Sequence, residues 1–269
     1  LVFNFSHTTN IQIMSVLDTI NIDEVKTKLY ENLKPSGWGD KLKSFLLSSD
    51  FDKIMAQLLA EAKEGKRFTP VLKQVFRAFE ECPVDKLKVV ILGQDPYAQG
   101  PQTVREGKDG MVREVSRFPV ADGLAFSCSN TNTPQPSLKY IFKALEETVY
   151  PNGYTWDPDL KRWSNQGVLL LNCALTTQLT KTGTHYQIWK PFLSFLFDYL
   201  DINHQGTVYA YFGKKAQEWS DNVSDNNPKL IASHPASAAY QDLERWDCND
   251  IFNKINEQVK KQFNEEIVW

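Results

Sequence analysis

No Cys-x-x-Cys pair occurs in these 269 residues; Cys82, Cys128, Cys173 and Cys248 stand far apart, and the four histidines are equally scattered. That spacing excludes the usual zinc and iron–sulfur patterns and a disulfide framework. It fits reduced, buried thiols in an intracellular protein, cytoplasmic or nuclear. No apolar run is long enough to span a bilayer, and Leu1 to Ile13 lacks both the basic start and the apolar stretch of a signal peptide. Internal repeats and low-complexity segments are absent too. A formal net charge of −3 excludes a polybasic coat but leaves room for positive charge confined to a groove. The chain opens on leucine; Met14 fits a natural start, and residues 1–15 are expected to be an N-terminal tail before one domain over 16–269.

What is present centres on Lys88-Val89-Val90-Ile91-Leu92-Gly93-Gln94-Asp95-Pro96-Tyr97. A continuous apolar run suits a strand buried on both faces. Gly93 permits a sharp turn at its end, and Pro96 stops further pairing. Asp95 then lies at the carboxyl end of a central parallel strand, where open α/β sheets bind ligands. Taken alone, Asp95 and Pro96 fit a capped turn better than a functional site.

Helical periodicity predicts helices over 16–34, over Trp38 to Leu47, and after an Asp50 cap with Phe51, Ile54, Met55, Leu58 and Leu59 as the apolar stripe. Another opens at Pro70 and ends near Cys82-Pro83. Residues 98–122 are polar; Thr103–Glu106 and Met111–Val115 flank a Gly/Asp turn and read as an inserted hairpin. Such an arm either contacts substrate or is a surface loop. Gly123 to Ser127 reads as a short extended segment, and Ser137 as the cap of a helix over Leu138–Thr148. Further strands are expected at Gly167–Asn172, Thr207–Gly213 and Lys229–Ser233, with helices around Asp159–Ser164, Trp189–Leu200, Lys214–Trp219 and Ile251–Phe263. Strands alternating with helices imply an α/β fold: one parallel four-stranded sheet flanked by helices. Asp95, Asn172 and His234 then gather on one edge.

Gly93-Gln94-Asp95-Pro96-Tyr97, Gly123-Leu124-Ala125-Phe126-Ser127, Pro136-Ser137-Leu138, Leu169-Leu170-Leu171-Asn172 and His234-Pro235, in this order, resemble the uracil-N-glycosylase family (family 1) of uracil-DNA glycosylases. The resemblance extends over roughly residues 36–269. It implies base-excision repair by hydrolysis of the N-glycosidic bond of uracil flipped out of DNA. Asp95 would position water and stabilise the sugar cation, and His234 would stabilise the uracil anion. Gln94, Tyr97, Phe126 and Asn172 would bind the base: Asn172 pairs with O4 and N3–H, Phe126 stacks, and Tyr97 blocks a C5 methyl. No metal or organic cofactor is implied. The expected partners are uracil-containing DNA and a DNA-mimicking inhibitor protein, with the chain a monomer.

The chain departs from the family at several positions. Ala98 stands where histidine commonly follows Gln-Asp-Pro-Tyr. His234-Pro235-Ala236-Ser237-Ala238-Ala239 replaces His-Pro-Ser-Pro-Leu-Ser, so Ala238 occupies the place of the leucine wedge. Ser137 retains its match, and Ser237 is a partial substitute for the lost phosphate-binding serines. The 103–115 hairpin is expected to stand in for the wedge, with Met111 or Val112 inserting and Arg105, Lys108 and Arg113 on phosphates. Preference for single-stranded DNA is the simpler alternative, since it needs no wedge. Two other readings stay open: a catalytically weak DNA-binding or replication scaffold on the same fold, and a glycosylase for another 5-substituted uracil.

Overall fold

In the computed structural model, residues 19–101 and 116–269 are described, together with the backbone of 103–106 and 111–114. The expected tail over 1–15 lies outside them. In chain order the strands are β1 (Phe68–Thr69), β2 (Val89–Gly93), β3 (Thr103–Glu106), β4 (Met111–Glu114), β5 (Val168–Asn172), β6 (Thr177–Gln178), β7 (Val208–Phe212) and β8 (Lys229–Ala232). Four of them form one sheet in the order β5-β2-β7-β8, with every pair parallel. The two crossovers that leave the neighbourhood of β2 run in opposite directions, to β5 on one side and β7 on the other. The strand order therefore reverses beside β2, which opens a crevice at the carboxyl ends of these strands.

All residues of β2, β5 and β7 are buried, as continuous apolar runs require when helices cover both faces. An aromatic cluster on one face joins Trp38, Phe45, Phe76, Phe79 and Phe192, with ring centroids 5.2–5.8 Å apart between neighbours such as Trp38–Phe79 and Phe79–Phe192. Phe212, Trp246, Phe252 and Trp269 knit the helix Ile251–Phe263 to the other face. All four cysteines are free and buried. No helix among the described residues is long and apolar enough to cross a membrane.

Several local expectations are corrected. The first described helix starts at Ile22, because Asn21 caps it by accepting from the Asp23 N–H at 2.9 Å. Ser48, not Asp50, caps the helix Ser49–Lys63, accepting from Phe51 N–H. Residues 70–82 are a 3-10 turn at Leu72–Gln74 followed by a short helix Arg77–Glu81, rather than one helix. Pro136 takes the first position of the helix Pro136–Thr148 and Gln135 is its cap residue, so Ser137 lies inside the helix. A helix at Pro235–Tyr240 was not anticipated. The inserted hairpin does form: β3 pairs antiparallel with β4, Thr103 opposite Glu114. The side chains of Arg105, Met111, Val112 and Arg113, and all of Lys108, lie outside the described residues.

Candidate active site

Gly93 ends β2 opposite Asn172, the last residue of β5. A Cβ at position 93 would meet Asn172 Oδ1 at 2.7 Å and Phe126 Cζ at 3.1 Å. Glycine here is therefore what lets the amide and the ring approach the strand end. Two residues on, Asp95 is half-buried, and its Oδ2 accepts from the Tyr186 hydroxyl at 2.5 Å and the Gly183 N–H at 3.1 Å, with Gln94 Nε2 at 3.4 Å. Its Oδ1 is buried with no partner among the described residues. Burial raises the Asp95 carboxyl above its ordinary value, and the donors from Tyr186, Gly183 and Gln94 oppose that rise.

Asn172, Phe126 and Tyr97 line one small cavity with Pro96, Leu124 and Leu175. The Tyr97 hydroxyl donates to the Phe126 carbonyl at 3.1 Å, so its ring is held against the Phe126 turn. Gly123 to Ser127 is not extended: Gly123 has φ +96° and Phe126 has φ +67°. A non-glycine residue in that region costs free energy, and it persists where surrounding contacts over-determine it. Asp122, fully buried, supplies those contacts. Its carboxylate accepts from Leu124 N–H at 3.1 Å, Ser127 Oγ at 2.6 Å and Ser129 N–H at 2.8 Å, and pairs with Arg77 at 2.9 Å. Sequence reading passed over Asp122; the available signal was an acid two residues before Leu124, the spacing of an Asx turn.

His234 follows β8 on the same sheet edge. Its Nδ1 accepts from the Ala236 N–H at 3.1 Å. Burial lowers its pKa to about 4. The ring is therefore neutral near pH 7 with its proton on Nε2, a hydrogen-bond donor. Gly213 leaves room for it, since a Cβ there would meet His234 Cβ at 2.8 Å. Trp246 Nε1 donates to Ser233 Oγ at 2.8 Å and Ser237 Oγ donates to the His234 carbonyl at 2.7 Å, which pins the loop from both sides. The His234 ring lies 5.7 Å from that of Phe126. Asp95, Asn172, Phe126, Tyr97, Gln94 and His234 thus share one edge of the sheet.

The residues expected to meet DNA divide differently. Ser137 is 6% exposed and Ala238 only 1%. Ala238 packs inward from the helix Pro235–Tyr240, so it offers no side chain to a partner. Two residues later Tyr240 is 88% exposed, and Leu243 is 46% exposed. Tyr186, three residues before the helix expected from Trp189, begins the helix Tyr186–Asn203.

The sequence matches the Uracil DNA glycosylase superfamily over residues 79–265. The Uracil-DNA glycosylase of Acinetobacter baumannii (strain SDF) is 32% identical over 249 residues, 92% of this chain and 97% of that protein. The Uracil-DNA glycosylase of Mesomycoplasma hyopneumoniae (strain 7448) is 34% identical over 221 residues, 81% of this chain and 90% of that one. Among solved structures, mimivirus uracil-DNA glycosylase has the same fold, with a TM-score of 0.74 at 24% identity over 100% of this chain and 96% of that chain. A mimivirus UNG variant in complex with UGI gives 0.71 at 25% identity, covering 86% and 87%.

Proposed function

We propose, for a chain that belongs to the uracil-DNA glycosylase superfamily and so hydrolyses the N-glycosyl bond of uracil in DNA, that Asp95 and His234 divide between them the two charges of the transition state. The C1′–N1 bond breaks with its electron pair going to uracil. The sugar becomes cationic, and Asp95 stabilises it through its carboxylate charge. Water bound at Asp95 adds its oxygen to C1′, releases a proton through the carboxylate to solvent, and leaves an abasic sugar. His234 Nε2–H donates to uracil O2 as that oxygen gains charge, and the departing anion takes up a proton. Each well-aimed charge or donor contributes about 2–4 kcal/mol to the transition state.

The observation that carries this reading is one sheet edge holding a half-buried carboxylate, one of whose oxygens is buried with no partner among the described residues, and a neutral, Nε2-protonated histidine. Base selection follows from the pocket between them. The Asn172 amide offers one acceptor and one donor to uracil N3–H and O4; cytosine presents the opposite pattern and would leave buried groups unpaired. Tyr97 stands at the pocket wall where a C5 methyl would go, with Gln94 at the strand end beside it. Phe126 supplies the stacking face. Release of free base from matched oligonucleotides carrying uracil, thymine or cytosine tests this. Uracil alone is expected; release of thymine at a comparable rate would remove Tyr97 and Asn172 from base selection.

The buried Ala238 supports a different wedge from the expected one. Tyr240 presents an exposed aromatic ring beyond His234, beside Leu243, whose carbonyl accepts from the Tyr140 hydroxyl at 2.5 Å. Tyr140 is one turn from Ser137 on the helix that borders Tyr97, so the segment that follows Tyr240 is tied to an element beside the pocket; on this reading the Tyr240 ring meets the DNA. Inserted into duplex DNA, it fills the gap left by the flipped base. Tyr240→Ala is expected to slow uracil release from duplex DNA about tenfold, in line with base–aromatic stacking, and to leave single-stranded DNA within about twofold. Equal effects on both substrates would exclude the wedge. A DNA-mimicking inhibitor protein with acidic groups would compete for the same face.

A further inference from the structure

The loop that leads into Tyr186 is fixed by a chain of hydrogen bonds whose proton directions can be deduced. Trp189 Nε1 can only donate, and does so to Thr176 Oγ1 at 2.7 Å. The threonine hydrogen is then free for His185 Nδ1, at 2.8 Å. That leaves the His185 proton on Nε2, where it is donated to Glu61 Oε2 at 3.1 Å. Glu61 Oε2 also accepts from Gln178 Nε2 at 2.7 Å. His185 is fully buried, and burial lowers its pKa, so it stays neutral. A fully satisfied buried network of this kind rigidifies its surroundings. Its neighbour Tyr186 is held with it, and the ring edge packs on Gly183, where a Cβ would sit 3.3 Å from Cε2.

Two donors from this loop, the Tyr186 hydroxyl and the Gly183 N–H, converge on the same Asp95 oxygen, Oδ2. The other oxygen, Oδ1, is buried and has no partner among the described residues. The Asp95 loop itself supplies little: Gln94 Nε2 is distant at 3.4 Å. Ala98, where the resembling family commonly has histidine, has no side-chain donor at all. We propose that Tyr186 is a positioning residue for Asp95, holding Oδ2 together with Gly183 so that Oδ1 is the oxygen turned to the attacking water and the sugar cation. This rests on the glycosylase reading above and deepens it. The tyrosine reaches Asp95 from a segment 91 residues away in the chain.

Burial, then the adjacent Asp95, raises the Tyr186 phenol strongly, so it remains a donor throughout the working range. The charged and titratable groups around the pair are His185 near Asp95, Cys173 between the strand end and Tyr186, and Lys215, whose Nζ lies 5.7 Å over the Tyr186 ring while paired to Glu218 at 2.9 Å. None of these replaces the hydroxyl on Oδ2. Removing it withdraws a stabiliser of the charged carboxylate, so the acid limb of the rate profile moves to higher pH.

The test is single-turnover uracil release by Tyr186→Phe, with Asp95→Asn and the double variant alongside, across pH 5 to 8. The variant is expected to lose about 10- to 100-fold in kcat, the effect of one hydrogen bond to a charged group. KM should be little changed, the acid limb should rise in pH, and the substitution should cost nothing further in the Asp95→Asn background. An unchanged limb, or an equal loss in the Asp95→Asn background, overturns the positioning role. Wild-type protein that releases no uracil overturns the underlying glycosylase reading instead.

Discussion

Asp95→Asn lowers kcat for uracil release by about a thousandfold or more and leaves KM for uracil-containing DNA within a few-fold. Asparagine preserves the shape and can still accept from Tyr186 and Gly183 through its one carbonyl oxygen. Its amide nitrogen then occupies the place of Oδ1, turning a dipole of the wrong sign toward the sugar cation. The substitution removes a charge that matters only once the bond is breaking, so the loss falls on kcat. Because burial raises the Asp95 carboxyl, the wild-type rate falls as pH drops through a value above the ordinary aspartate range. The variant has no group to titrate there, and its residual rate is flat over the same interval. Single-turnover release from pH 5 to 8 checks both. An undiminished rate, or an acid limb that survives the substitution, excludes Asp95 as the charge that stabilises the sugar.

His234→Ala is expected to cost about 10²–10³ in kcat, the range for loss of one aimed donor to a developing anion. The sign of the histidine's pKa shift gives this prediction a second edge. Burial lowers it to about 4, so His234 stays neutral above pH 5. Between pH 6 and 8 the wild-type rate is therefore free of the loss that deprotonation of a catalytic imidazolium would bring. A rate that falls as pH rises through 6–7, and does so only when His234 is present, contradicts the neutral donor. The same lowered value means that folding gains nothing from protonating His234. Its contribution to stability is complete above the ordinary histidine range and declines as pH falls toward 4.

The strands that carry the site were legible because each is a continuous run of β-formers, and burial on both faces is what such a run demands. Val89–Gly93, Val168–Asn172 and Val208–Phe212 fall within a residue of expectation, and so does the helix Ile251–Phe263. Once the sheet is parallel, Asp95, Asn172 and His234 must share an edge. Caps were less legible. Ser48 and Asp50 are both good cap residues, and two positions of phase decided between them. At Ser137 the preceding proline took the first helical position. The Phe126 turn was misread because its organiser, Asp122, works through Arg77, 45 residues earlier in the chain, a partnership that no local pattern announces. Tyr186 escaped for the same reason: it stands just before the helix expected from Trp189, and only the folded chain sets its hydroxyl on Asp95.

The central claim is that this sheet edge breaks the N-glycosyl bond of uracil in DNA and leaves the backbone intact. The direct measurement is the time course of free uracil from a single-stranded oligonucleotide with one uracil, at pH 7 and with protein in excess. The account predicts one equivalent of free uracil and an unbroken strand that alkali then cleaves at the abasic site. Intact uracil on DNA that the protein nevertheless binds would contradict it and leave a DNA-binding scaffold in its place.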